Sequence, residues 1–289
     1  MTRGRVEKRK TVEDALNEAS SRLSSQGIFG RDALEITSRA LGVSPRTVDQ
    51  RRNDSWPKTA DAVFEKLLHD RQQGIPLAYL LGEWDFCEFT LVVTPDALIP
   101  RPETEEFFDF IQKSLHVGSK TDRCVVDVGT GTGCLALSLA RRFPWDHVIA
   151  VDVSPRALAV ARGNARRHGL ESRVAFVESD LLSWAMPLGL DVVVANLPYV
   201  TTGDCDTLAP EVRNEPRLAL DGGPDGLHLI RRLILQASKT LSETGSLFLE
   251  VGQGQAGTVR SLLESVGFMD VETRPDFNGV ERFVRGSRS

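Results

Sequence analysis

One stretch constrains this chain more than any other: Cys124-Val125-Val126-Asp127-Val128, then Gly129-Thr130-Gly131-Thr132-Gly133, then a run carrying Leu135, Leu137, Leu139 and Ala140. It reads as a strand, a glycine-rich turn and a helix. The same alternation continues through strands at 148–152, 174–177, 192–195 and 246–251 and helical stretches opening at Ser154-Pro155, at 227–241 and at 259–266. Alternation of this kind predicts an α/β fold built on a mostly parallel sheet with helices on both faces. The last two apolar stretches, 269–273 and 281–285, are expected to close it as an antiparallel pair.

Upstream the pattern differs. Val12, Ala15, Leu16, Ala19 and Leu23 recur at helical spacing, as do Ala33, Leu34, Ile36 and Leu41, then Ala62, Val63, Leu67 and Leu68 after Pro57. Gly42 reads as a helix stop and Ser44-Pro45 as an N-cap followed by proline at the first helical position. Residues 1–75 are thus a small all-α domain without visible chemistry, expected to pack or to dock a substrate. In 76–102, Trp84, Phe86, Phe89, Leu91 and Val93 alternate with polar residues as a hairpin linker. A helix through Phe107, Phe108, Ile111 and Leu115 opens the third span, 103–289.

Glycines at 129, 131 and 133 let a backbone approach a ligand without Cβ interference. The spacing departs from the dinucleotide fingerprint, which needs its third glycine at position 134, where Cys134 stands. A ligand without pyrophosphate is favoured. No Gly-Lys-Ser/Thr occurs, so phosphoryl transfer on a Walker loop falls away. Asp152 ends the second strand of the alternation, where a carboxylate can accept from both ribose hydroxyls. Asp180-Leu181 follows the third, where a carboxylate could meet an adenine amino group. Each Asp alone also reads as a loop-solvating residue; with the glycines at consecutive strand ends they outline one adenosine site.

The run 191–195 reads as a strand covered on both faces, and it stops at Asn196-Leu197-Pro198-Tyr199. Pro198 cannot donate to a ladder and biases Leu197 towards an extended conformation, which can aim the Leu197 carbonyl outward beside the Asn196 amide. Two acceptors and an aromatic wall suit a planar NH2 group. A strand that merely ends in a proline turn with a packed tyrosine has the same residues.

Asp127-Val-Gly-Thr-Gly-Thr-Gly133, Asp152 and Asp180 resemble the S-adenosylmethionine site of class I methyltransferases, which have a Rossmann-like sheet, and Asn196-Leu-Pro-Tyr199 resembles their amino-methylating signature. Pro76-Leu-Ala-Tyr-Leu-Leu-Gly82, Ile99-Pro-Arg-Pro-Glu-Thr-Glu105 and Glu215-Pro-Arg-Leu-Ala-Leu-Asp-Gly-Gly-Pro-Asp-Gly226, with the helical domain before them, resemble the peptide chain release factor glutamine N5-methyltransferases over about residues 11–285. That family has Asn-Pro-Pro-Tyr where Leu197 stands here. It uses the second residue through its carbonyl, which leucine also supplies. The resemblance implies S-adenosyl-L-methionine as cofactor, held by Gly129, Thr130, Gly131, Thr132, Gly133, Asp152, Asp180, Leu181 and Asn196. It implies methyl transfer to the amide of a release-factor Gly-Gly-Gln glutamine at Asn196, Leu197, Pro198 and Tyr199, with Glu103 and Thr104 bordering the methionine end. Asn-Leu-Pro-Tyr also resembles the ribosomal RNA adenine dimethylases, so adenine N6-methylation is the alternative, and a noncatalytic cofactor-binding partner protein is another.

Charge bears on that choice. Residues 1–80 carry a net +3 and residues 81–289 a net −8, together −5 over 289 residues. A broad basic surface for a phosphate backbone is not evident, so protein is favoured as substrate and nucleic acid is not required. No apolar run reaches the roughly 18 residues of a membrane span, and the basic start 1–10 leads into no apolar segment. Cys87, Cys124, Cys134 and Cys205 form no CxxC pair, and the five histidines lack zinc-site spacings. The expectation is a reduced, cytoplasmic monomer without a metal.

Overall fold

The computed structural model describes residues 10–116, 122–144, 146–185 and 189–288; the basic start at 1–9 lies outside them. The chain divides into two compact units, 1–82 with Pro210–Asn214, and 83–209 with 215–289.

The first unit is helical: α1 Val12–Ser24, α2 Asp32–Leu41, α3 Pro45–Gln50, α4 Asp61–Gln72 and α5 Leu77–Leu81. Thr11 and Asp14 form a reciprocal capping box at α1, satisfying two backbone donors that a helix start leaves free. Gly42 ends α2 at φ 64, and the Ser44 side chain caps α3 ahead of Pro45. The apolar positions spaced three and four apart converge on one core around Leu16, Leu23, Ile36, Val48, Phe64 and Leu68. The segment Pro210–Asn214 belongs to this unit. Asn214 Nδ2 donates to the Gly74 carbonyl at 3.0 Å, and buried Arg71 pairs with Asp32 at 2.5 Å and with Glu211 at 2.7 Å.

The second unit begins with the hairpin β1 Glu83–Phe86 and β2 Phe89–Val92, then α6 Pro102–His116, β3 Cys124–Val128, α7 Cys134–Arg142, β4 His147–Asp152, α8 Pro155–Arg167, β5 Val174–Glu178 and β6 Leu190–Asn196. After α9 Pro210–Arg213, which lies in the helical unit, come α10 His228–Thr240, β7 Leu241–Glu250, α11 Ala256–Ser265, β8 Met269–Pro275 and β9 Glu281–Ser287. The expected three spans are therefore redrawn. The hairpin at 83–92 is not a linker, because Phe86, Phe89 and Leu91 are buried in one cluster with Phe107, Leu137 and Phe248 of the sheet unit. The helical unit also runs on to Gly82, through α5 and its left-handed glycine cap.

The seven-stranded sheet has the order β5-β4-β3-β6-β7-β9-β8, parallel from β5 to β7 with β9 and β8 antiparallel at the edge. Both faces are covered, as alternation along β6 shows. Val192 and Val194 enter the cluster with α6 and α7, whereas Val193 and Ala195 enter the one with α10 and α11. Strand order reverses between β3 and β6, so the carboxyl ends of these two strands flank a crevice of the kind in which open α/β sheets bind ligands. Gly129 follows one strand and Leu197 the other. Among the described residues, no helix is long and apolar enough to cross a membrane.

Candidate active site

A cavity of about 360 Å³ opens at that reversal. Its first bank is the turn after β3. Gly129 and Thr130 both donate backbone N–H to the Val151 carbonyl, at 2.8 and 2.9 Å. Gly129, Gly131 and Gly133 have φ of 75, 55 and 84, conformations an L side chain resists. Asp127, fully buried at the base, accepts the Thr130 hydroxyl at 2.6 Å and the Ala136 N–H at 3.1 Å through one oxygen, tying the turn to the start of α7. Burial pushes its pKa up to about 7 against the pull of those two bonds. Asp152 accepts Gly131 N–H at 3.0 Å on one oxygen and Ser154 N–H at 2.9 Å on the other. Burial raises its pKa too, opposed by those bonds. Each of its oxygens keeps a lone pair for a ligand hydroxyl.

Two orphan features fit an adenosine-type ligand here. Thr132 Oγ1 is buried without a hydrogen-bond partner at the cavity wall. Gly131, at positive φ, also presents bare backbone to the cavity: a Cβ there would meet nothing nearer than the Gly129 carbonyl at 4.0 Å. Asp180 lines the cavity and its Oδ2 holds Arg232 at 2.6 Å, which leaves Oδ1 as the acceptor for an adenine amino group. Leu181 is held at φ 53, a left-handed conformation that costs a non-glycine residue about 1–2 kcal/mol, and it forms apolar wall with Leu135 and Leu229.

The second bank follows β6. Asn196, Leu197 and Pro198 line the cavity. Asn196 Nδ2 donates to Thr104 Oγ1 at 3.0 Å, which leaves Oδ1 as the free acceptor of the amide. The Leu197 side chain is buried, with Cδ2 only 3.0 Å from where a Cβ on Gly129 would stand, so the two banks meet there. Three predicted residues, Glu103, Gly133 and Tyr199, do not line the cavity, whereas Thr104 does. Gly133 does not line the cavity; a Cβ there would come within 3.2 Å of Ala161 Cβ, so its role is close packing of α7 on α8. Tyr199 does not line it either. Its ring lies over Gly252, its carbonyl accepts Gln255 Nε2 at 3.0 Å, and burial raises its hydroxyl pKa.

The proline-rich and glycine-rich stretches become parts of this frame. Glu215 is buried and accepts the Ile99 N–H at 3.0 Å while pairing with Arg101, which buckles 99–101 to 215–219 across the mouth. Pro100, Arg101, Pro216 and Leu218 line that mouth, and Leu218 is 60% exposed. The stretch 221–226 wraps the back of the tetrapeptide. Val200 donates to the Leu220 carbonyl at 3.0 Å and accepts the Gly222 N–H at 2.8 Å. A Cβ at Gly222 would sit 2.5 Å from the Pro198 carbonyl, and one at Gly226 would strike the Tyr199 carbonyl and lie 2.6 Å from Gln255 Nε2. Gln255, Glu215 and Arg232 were invisible as site residues in the sequence, because each reaches the site's frame from a distant element.

Residues 125–214 match the model of a methyltransferase domain, and residues 14–82 match that of the PrmC N-terminal domain. The release factor glutamine methyltransferase of Moorella thermoacetica is 38% identical over 280 residues, spanning 94% of this chain and 96% of its own. The human MTRF1L release factor glutamine methyltransferase is 36% identical over 272 residues, spanning 88% and 80%. Among solved structures, a methyltransferase from Pyrococcus furiosus aligns with a TM-score of 0.53 at 18% identity, over 70% of this chain and 90% of that one, a likeness of fold.

Proposed function

The chain belongs to the release factor glutamine methyltransferase family, and from that premise we propose that it methylates the side-chain amide nitrogen of the glutamine in the Gly-Gly-Gln motif of peptide chain release factors. S-adenosyl-L-methionine, when bound, supplies an electrophilic methyl group. The chain's own residues do the rest. Asp152 accepts from ribose hydroxyls, Gly129 to Thr132 give the backbone approach, and Asp180 and Leu181 bound the base.

An amide nitrogen is a poor nucleophile because its lone pair is delocalised into the carbonyl. Asn196 Oδ1 and the Leu197 carbonyl each accept one N–H of the glutamine, fix the nitrogen's direction and favour the positive charge that develops on it. Pro198 keeps that turn rigid, and Tyr199 anchors its far end through Gln255 and Gly252. No His or Lys is among the described residues lining the cavity. None is required before attack, since the proton leaves once the carbon–nitrogen bond has begun to form.

The observation that carries this reading is the Asn196 amide, its NH2 held by Thr104, standing across one cavity from the Gly129 turn. The helical unit docks the release factor, and the protein works in the cytoplasm as a monomer without nucleic acid. Mass spectrometry of a release factor incubated with the protein and S-adenosylmethionine tests the reading. One added methyl on the Gly-Gly-Gln glutamine is expected; an unmodified peptide would overturn it.

A further inference from the structure

We propose that Glu250 is a positioning residue for methyl transfer: through Thr104 it dictates which end of the Asn196 amide faces the substrate. The inference rests on the glutamine-methylating reading above and adds a residue that lines no part of the cavity. Asn196 and Glu250 are paired in register at the carboxyl ends of adjacent parallel strands, β6 and β7. Glu250 is 1% exposed, and one of its oxygens, Oε2, is buried without any hydrogen-bond partner. A carboxylate sealed in this way is costly, and packing alone would be served better by an apolar side chain.

The logic of donors gives it a purpose. An ionised carboxylate only accepts. The Thr104 hydroxyl, which has one hydrogen, and the Asn196 side chain both sit against Glu250 and favour its charged form, and in the proposed arrangement that one hydrogen turns to the carboxylate. With its hydrogen spent, Thr104 can only accept from Asn196, and Nδ2 supplies that bond at 3.0 Å. A flipped Asn196 would present oxygen to an oxygen that has nothing left to donate, and oxygen again to the carboxylate. Oδ1 is thereby kept for the substrate N–H. A side chain at 250 that can donate as well as accept would release Thr104 and let the amide turn over, presenting NH2 to NH2.

Protonation of Glu250 does the same. Its surroundings are Glu103 of α6, Cys134 of α7, Tyr199 after β6 and Arg282 of β9. Burial among them pushes its pKa up to about 7, against the pull of the neighbouring Thr104 hydroxyl, the Arg282 charge and the Asn196 amide. Turnover should therefore fall as pH drops through that region.

The experiment measures methylation of an intact release factor by wild type, Glu250→Gln, Asn196→Ala and the double variant across pH 5.5–8.5, with calorimetric titration of S-adenosylmethionine as a check on fold. Glu250→Gln should lower kcat about tenfold, leave KM and cofactor affinity within about threefold, flatten the acid limb, and have no further effect in the Asn196→Ala background. Should Glu250→Gln not fold, Thr104→Val should lose turnover in the same way and Thr104→Ser should keep it. Wild-type kcat and an unchanged acid limb in Glu250→Gln would overturn the proposal, as would an equal loss with and without Asn196, or a Thr104→Val that turns over normally. A wild-type protein that leaves the release factor unmethylated would remove the reading beneath it, and the proposal with it.

Discussion

On the β3 side of the cavity the chain holds itself. Asp127 fastens Thr130 and Ala136, three and nine positions along, and Asp152 fastens Gly131 from the next strand. On the β6 side nothing near in sequence holds Asn196 to Tyr199. Thr104 lies 92 positions away, Gln255 lies 56 from Tyr199, and Gly222 and Gly226 come from a loop of their own. A cofactor that many proteins share can be met by a compact local device. The bank that must recognise one particular nucleophile is held from several distant elements, each with its own way to fail.

The largest effect should come from overfilling the second bank. Gly226→Ala sets a Cβ against the Tyr199 carbonyl at a φ of 73, and should destabilise the protein by about 3 kcal/mol with loss of methylation. Urea unfolding measures it; a variant of wild-type stability would mean that 221–226 does not clamp the tetrapeptide.

Asn196→Ala comes next. It should lower turnover on the order of 10²-fold and leave cofactor affinity within a few fold. A matching loss of cofactor affinity would erase the distinction between the banks. Asp152→Ala is its counterpart, expected to weaken S-adenosylmethionine about tenfold by removing charge-assisted bonds to ribose. Calorimetry that finds unchanged affinity in the folded variant would take Asp152 out of the site.

A further effect falls on both banks through pH. Asp127 and Glu250 are pushed up to about 7 in the folded chain, against roughly 4 when unfolded. Between those values the folded state holds protons that the unfolded state has released, so stability should fall as pH rises from about 4 to 7. The slope is at most about 1.4 kcal/mol per pH unit for each group. Urea midpoints should be higher at pH 5 than at pH 7, and Asp127→Asn should remove part of the difference. Midpoints that do not move would show that both carboxylates stay ionised.

The same contrast explains what could be read from the sequence. Strand and helix alternation, the hairpin, the caps at Gly42, Ser44 and Ser154, and the closing antiparallel pair all rest on local periodicity and turn chemistry, and the structure has them. The glycine turn was legible for the same reason. Gly133 misled because a glycine beside a ligand loop and a glycine under a crossing helix look alike until Ala161 is in place. Tyr199 misled because the ring's direction depends on Gly252, 53 positions on. Glu250 reads as the end of an apolar strand, and only its register with Asn196 marks it. The hairpin's membership in the sheet unit depended likewise on packing with Phe107 and Phe248.

Whether a protein glutamine or a nucleic-acid adenine accepts the methyl group is decided by offering both at once. Labelled S-adenosylmethionine, intact release factor and ribosomal RNA are combined with the protein, and the label is located. Label is expected on the release factor's Gly-Gly-Gln glutamine, with its loss when that glutamine is changed to alanine, and little in RNA. Label in RNA with the release factor left bare would contradict a glutamine acceptor.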